Sequence, residues 1–218
     1  MGYLHTRVDD TLWEVKTDNI EGCFTRAFVV NTRRANYVID TLLGGGSVPH
    51  LLRHIDPGLP TYVINTHYHW DHVWGNGFFP GAVLVCHERC GENLRNQWDG
   101  MLERYGRFVD GEARPTVPNV LIRDGAVLND ELELFHSPGH TDDSISVFYR
   151  ERNVLFVGDN IGDDDEEIVP SLKAPDRYPG TLEKLLSVDA GLYLSGHNEG
   201  KRKDFLRMIL DRLGPDLL

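Results

Sequence analysis

Asn65-Thr66-His67-Tyr68-His69-Trp70-Asp71-His72 places three imidazoles and a carboxylate within six residues. The stretch follows Tyr62-Val63-Ile64, an apolar run with the character of a buried strand. The chain therefore leaves a sheet and turns where the ligand-type residues are. His67 and His69 stand two apart, so on extended backbone both project to one side. Asp71 and His72 follow the turn and can point to a second locus. A single ion would not use all four groups easily, and two ions side by side would. Neutral imidazole and carboxylate suit zinc, iron or manganese, and the pattern does not choose among them. Four such groups in this register read as a metal site rather than as histidines of a solvated loop.

The chain around this stretch has 218 residues, enough for one well-buried domain over 1–218 and too few for two large ones. With 22 Lys and Arg against 34 Asp and Glu, the net charge of −12 argues against nucleic acid as a partner. No apolar run is long enough to span a bilayer, so no membrane partner is expected. The N-terminus lacks a charged-then-apolar secretory pattern, and three cysteines fit reduced thiols better than a disulfide framework. Both features predict a cytoplasmic protein.

Before the motif, residues 11–15, 23–30 and 36–40 read as short strands, antiparallel because their connections are too short for crossovers. Ser47 is expected to cap a helix through about Ile55, with Val48, Leu51, Leu52 and Ile55 on one face. Strand 61–65 delivers the motif, and 83–85 continues the sheet. Cys86-His87-Glu88-Arg89-Cys90 lacks zinc-ribbon spacing and reads as a strand entering a helix. Leu94, Trp98, Met101, Leu102, Tyr105 and Phe108 recur at helical spacing over 91–109, a core-facing stripe. Residues 120–122 form a strand, 127–135 alternate as another, and 144–149 with 154–157 form a hairpin. The acidic run 163–167 reads as solvated. Residues 168–180 hold three prolines and read as a long loop. A helix near 181–187, a strand at 192–194 and a helix at 201–213 with Phe205, Met208, Ile209 and Leu213 on one side complete the pattern.

Ligand-type residues recur just past three of these strands, in Ser137-Pro138-Gly139-His140-Thr141, Val157-Gly158-Asp159-Asn160 and Ser195-Gly196-His197-Asn198. Strands ending at one sheet edge bring such loops together. The His-x-His-x-Asp-His motif of 67–72, followed by these points in this order, resembles the metallo-β-lactamase fold superfamily over nearly the whole chain. The resemblance implies an α/β (α+β) chain folded as an αββα four-layer sandwich, two mixed β-sheets with outer helices. It implies that His67, His69 and His140 bind a first metal, that Asp71, His72 and His197 bind a second, and that Asp159 bridges them. The implied cofactors are two divalent metal ions, zinc first, with iron or manganese as alternatives. The resemblance also makes Asp71 both an expected ligand and a candidate proton shuttle. His136 reads as structural or supporting, and His5, His50, His54 and His87 as surface or packing residues.

Asp159, where many true β-lactamases have cysteine or serine, makes the site similar to the thioesterase, lactonase, phosphodiesterase and alkylsulfatase branches. His67-Tyr68-His69-Trp70-Asp71-His72 followed by Gly75-Asn76 resembles glyoxalase II. That family continues into a helical domain, whereas this chain ends about one helix after His197, so turnover of glutathione thioesters is expected to be weak. The expectation is a dinuclear-metal hydrolase whose metal-bound hydroxide cleaves an ester-type bond of a small molecule, such as a thioester, lactone or phosphodiester. The alternatives are a mononuclear-iron persulfide dioxygenase and a non-catalytic metal-binding protein. A homodimer remains an option. Loops 74–80, 95–118 and 160–180 are expected to set specificity, and Trp70, Trp74, Phe78, Tyr105, Lys173, Arg177 and Tyr178 are candidates to line a pocket.

Overall fold

The computed structural model describes residues 2–20 and 22–213. The chain divides into two compact units, Met1–Ile122 and Arg123–Leu218. Each carries its own mixed sheet.

In the first unit, β1 (Tyr3–Arg7), β2 (Leu12–Ile20), β3 (Cys23–Asn31) and β4 (Asn36–Ile39) form an antiparallel meander. The strands expected at 11–15, 23–30 and 36–40 are present. β1 is an addition: its Tyr3, His5 and Arg7 alternate with Leu4 and Thr6, a pattern too polar to signal a strand. The chain then changes mode. β4, β5 (Thr61–Ile64), β6 (Val83–His87) and β7 (Val120–Ile122) run parallel, since each is reached through a helical crossover. The crossovers contain α1 (Val48–Leu52), α2 (Trp70–Val73) and α3 (Glu88–Tyr105). All of β4 is buried, as suits a strand covered on both faces.

α1 is shorter than the expected 47–55 helix, and Ser47 makes no side-chain cap. Its hydroxyl is used elsewhere, accepting from Leu43 N at 3.2 Å and bonding the Tyr3 hydroxyl at 2.7 Å. In α3 the stripe holds, with Leu94, Trp98 and Met101 buried against Tyr68, Val73 and Trp74. His87 accepts from Arg89 N at 3.2 Å and caps that helix. α3 ends at Tyr105, and a 3-10 turn carries the chain over Gly106–Phe108.

In the second unit, β8 (Gly125–Leu128), β9 (Leu132–His136), β10 (Ile145–Tyr149) and β11 (Val154–Gly158) are antiparallel neighbours. After α4 (Tyr178–Ser187), β12 (Leu192–Ser195) joins β11 in parallel. The stretch 127–135, expected as one strand, is a hairpin. Asn129 and Asp130 turn it with φ of 52° and 61°, values that short polar side chains tolerate best. α4 starts earlier than expected, with Pro179 in its first turn. In α5 (Lys203–Arg212) the inward residues are Leu206 and Ile209, followed by Leu213. Met208, expected inside, is 55% exposed. Leu206, Ile209 and Leu213 lie three and four apart and pack with Tyr178, Leu182 and Leu185 of α4. The acidic run 163–167 is exposed, and Asp165 pairs with Lys201. Among the described residues no helix is long and apolar enough to cross a membrane.

Candidate metal centre

β4 and β5 are parallel neighbours, so their C-terminal ends lie side by side. Asp40 leaves β4 and Thr66 leaves β5. The Asp40 carboxylate accepts from Thr66 N at 2.8 Å, from Thr66 Oγ1 at 2.7 Å and from His72 Nδ1 at 2.8 Å. Its left-handed backbone, φ 61°, turns it towards the neighbouring strand end. A second network lies below. Asn65 and Asn76 exchange amide hydrogen bonds at 3.0 and 2.8 Å, and Thr41 Oγ1 adds a third at 2.9 Å to Asn76 Oδ1. All three side chains are buried. Thr41 also donates its backbone N–H to the His72 carbonyl at 2.8 Å.

This frame brings the four motif residues of the first unit together. The ligand atoms of His67 and His69 lie within 4.8 Å of each other, and so do those of Asp71 and His72. The His67 ring stands 4.7 Å from that of His69 and 4.2 Å from that of His72, centroid to centroid. His67, Asp71 and His72 are buried, and His69 is half-buried.

In the second unit, β9 and β11 both run antiparallel to β10, and β12 runs parallel to β11. The C-terminal ends of β9, β11 and β12 therefore share one edge, and each releases a ligand-type residue. His140 Nε2 lies 3.5 Å from Asp159 Oδ2, and His197 Nε2 lies 3.2 Å from the same oxygen. Gly158, immediately before Asp159, has φ 55° at an irregularity of the β11–β12 pairing, where a side chain would be strained. The His140 loop is fastened from below. Asn160 Nδ2 donates to Ser137 O at 2.8 Å, and Asn160 Oδ1 accepts from His140 N at 3.2 Å. Tyr178 donates to Asn160 O at 2.8 Å, and burial pushes its phenol pKa well above the usual value. A Cβ on Gly139 would lie 2.4 Å from Tyr178 Cδ2, so only glycine fits there.

The hydrogen bonds settle which imidazole nitrogen can bind an ion. Asp40 can only accept from His72 Nδ1, so that nitrogen carries the proton and Nε2 carries the lone pair. Thr66 Oγ1 gives its hydrogen to Asp40 and hence accepts from His67 Nδ1 at 3.1 Å, which fixes the same tautomer. His140 Nδ1 donates to Ser171 O at 2.8 Å, with the same result. Three imidazoles are thus prepared as Nε2 ligands, as metal-binding histidines usually are. With Asp71 beside His67 and His72 in the first unit, and Asp159 beside His140 in the second, each unit offers nitrogen and oxygen donors of the kind that suits a divalent zinc, iron or manganese ion.

Asp40, Thr66 and Asn160 escaped the sequence reading as site residues. Asp40 at the end of a strand neighbouring β5 was the only available signal. His136 is structural: its Nε2 donates to Asp142 O at 2.8 Å. Trp74 and Tyr178 are fully buried core residues rather than pocket walls. Trp70 stacks on Tyr105 and Phe108 at 5.1 and 5.4 Å between centroids, and Phe78 lies under Arg114. Lys173 and Arg177 are exposed.

A family model described as the metallo-beta-lactamase superfamily matches residues 20–197. Acyl-coenzyme A thioesterase MBLAC2 of Homo sapiens is 29% identical over 229 aligned residues, which cover 89% of this chain and 81% of that protein. Among solved structures, DIM-1 metallo-beta-lactamase exposed to ceftazidime superposes with a TM-score of 0.76 at 16% identity, covering 96% of this chain and 95% of that one. A metallo-beta-lactamase from Pontibacter korlensis gives 0.73 at 18% identity, covering 97% and 99%. The fold class read from the sequence, two mixed β-sheets with helices, is the one these structures share with this chain.

Proposed function

Because this chain belongs to the metallo-beta-lactamase superfamily, we propose that it is a metal-dependent hydrolase of acyl thioesters with a two-ion centre. His67, His69 and His140 would hold one ion, Asp71, His72 and His197 the other, and Asp159 would bridge them. The observation that carries this reading is the approach of two Nε2 atoms, from His140 and His197, to a single oxygen of Asp159. A carboxylate between two imidazoles assigned to different ions is the arrangement a bridge requires. The Nδ1 anchoring of His67, His72 and His140 supports it independently.

When bound, such a pair of ions supplies an acidified water and polarises a carbonyl oxygen. The chain's own residues do the rest. Water adds to the acyl carbon, the carbon–sulfur bond breaks, and the products are a carboxylic acid and a thiol. Asp71, on the first turn of α2 beside His72, takes the proton of the attacking water and returns it to the leaving sulfur. Asp40 contributes through His72 and, by way of Thr66, through His67, holding each ring in the ligating tautomer.

Likeness to an acyl-coenzyme A thioesterase supports the thioester as substrate class. The partner proposed is therefore a small molecule, which the net charge of −12 also favours over a nucleic acid. The test combines elemental analysis with a panel of acyl-coenzyme A thioesters, lactones, phosphodiesters, sulfate esters and β-lactams. About two ions per chain and preferred turnover of the thioesters are expected. Preference for a lactone or phosphodiester would refute the substrate class. One iron, with a second site that excess metal does not fill, would refute the two-ion centre and favour the dioxygenase.

A further inference from the structure

Far from the motif in sequence, three more histidines of the first unit line up in a hydrogen-bonded row. His5 Nδ1 lies 2.7 Å from His54 Nε2, and its other ring nitrogen, Nε2, lies 3.1 Å from His50 Nδ1. His5 therefore bridges the other two. It sits on β1, the outermost strand of its sheet, whereas His50 lies on α1 and His54 in the turn that continues it. The row thus fastens an edge strand to a helical turn. We propose that His54, His5 and His50 form a pH-sensitive latch on β1, which tolerates one extra proton and opens on the second.

Counting hydrogens shows why. Three rings carry six nitrogens, and four of these face one another in the two junctions. Each junction holds one hydrogen, since an N–H needs a lone pair opposite it. The outer nitrogens, His54 Nδ1 and His50 Nε2, take one each, so the intact row holds four hydrogens at most. Three neutral rings bring three. One further proton fits without loss of either bond, most simply on His5, which then donates in both directions. A second proton must set N–H against N–H in one junction, with two cationic rings now in the same row. The rings have little room to turn away. Tyr3 stacks on His50 at 3.9 Å, and Trp13 stacks on His54 at 4.2 Å. Tyr3 is anchored in turn to Ser47 at 2.7 Å and to Asp110. The His54 carbonyl accepts from Asn31 Nδ2 at 2.6 Å.

The surrounding charges set where the latch opens. Arg53, beside His54 in the turn after α1, opposes a proton on all three rings, and Asp110 favours one on His50. Arg7 shares the His5 face of β1 and lies over Trp13, a further positive charge on that side. Glu14 and Lys16 are paired with Thr6 and Leu4 on the other face, and the Asp56 carboxylate is turned to Gly58 N at 2.8 Å. Burial, followed by Arg53, lowers the pKa of His5 and His50, and burial, then His5 and Arg53, lowers that of His54. A folded-state pKa below the unfolded one means that the latched form binds fewer protons. Its stability is complete above the ordinary imidazole value of 6.5 and falls as pH drops below it.

The experiment follows hydrogen exchange of the β1 amides in full-length, metal-loaded protein from about pH 8 to about pH 5, corrected for intrinsic exchange at each pH. β11, buried throughout, is the internal reference. Protection of β1 should fall by more than about tenfold per pH unit at the acid end, because the open strand takes up more than one proton beyond the latched one. β11 should hold. His5→Gln, which cannot bridge two rings by ring nitrogens, should start with weaker β1 protection that changes by no more than about threefold over the same range. Arg53→Gln should move the fall to lower pH, a shift that a merely structural role would not give. No fall in the wild type, or a fall equally steep in His5→Gln, would overturn the latch. Nitrogen-15 shifts of the three rings test it without any variant. One shared proton should enter with both junctions intact, and β1 protection should go with the second. Three independent titrations at the ordinary imidazole value would overturn the proposal.

Discussion

Replacing Asp40 by asparagine should disable His72 as a ligand without removing an atom of the imidazole. Asn fits the left-handed backbone at φ 61°. The Thr66 backbone N–H at 2.8 Å can only donate, so the new amide must keep its oxygen there. Its NH2 then occupies the place of Oδ2 and faces His72 Nδ1, which lies 2.8 Å from Oδ2 in the wild type. Nδ1 must now accept, the ring proton moves to Nε2, and the lone pair meant for the ion is lost. Outer-shell changes of this kind cost roughly 10–100-fold in metal affinity, or about 1.4–2.7 kcal/mol. Asp40→Ala is harsher on the fold. It leaves the buried Thr66 N–H without an acceptor, at about 1–3 kcal/mol. It also puts a residue with no compensating local hydrogen bond at positive φ, at about 1–2 kcal/mol. Metal affinity would be measured by chelator competition with ion counting. The tautomer would be read from nitrogen-15 shifts of His72 in metal-free protein. If Asp40→Asn kept wild-type affinity for both ions, or kept Nδ1–H on His72, the tautomer argument would be refuted.

Asp159→Ala should lose at least one ion and most turnover while circular dichroism stays native, whereas Asp163→Ala, in the exposed acidic run, should match wild type in both assays. Gly139→Ala drives a Cβ to 2.4 Å from Tyr178 Cδ2 and 2.8 Å from Asn160 Oδ1. A loss of about 1–3 kcal/mol in denaturant unfolding is expected, and an unchanged midpoint would show that the loop yields freely. Leu206→Ala removes a fully buried side chain and should cost about 2–5 kcal/mol. Met208→Ala, 55% exposed in the wild type, should stay within about 0.5 kcal/mol, and equal melting shifts for the two would mean that α5 packs through its other face.

Residues whose signal is local were legible in the sequence. β5 announces itself as an apolar run, and the motif follows it at once. His140, Asp159 and His197 each stand just past a short apolar strand with glycine before them. The features that were missed depend on distant partners. Asp40 meets Thr66 and His72 across 26 and 32 residues, and nothing near Asp40 in the chain records that encounter. The α5 face was ambiguous for another reason: 205, 208, 209 and 213 fit a helical period, and so do 206, 209 and 213. Only the position of α4 selects the second set. Tyr178 illustrates the same limit, since an aromatic in a proline-rich loop looks like a pocket wall until Asn160 is found beneath it.

Asn65 and Asn76 constrain how this chain can drift. Each amide gives its partner one donor and takes one acceptor in return, and Thr41 uses a further position on Asn76. A change to aspartate at either place would set a buried carboxylate oxygen against an oxygen or strip an N–H from the exchange. A change to leucine would leave the other amide buried and unmatched. Every single step away is therefore downhill in stability, although a matched apolar pair would be tolerable in principle. Two substitutions must arrive nearly together, so the pair should persist through long divergence even though neither amide is proposed to touch ion or substrate.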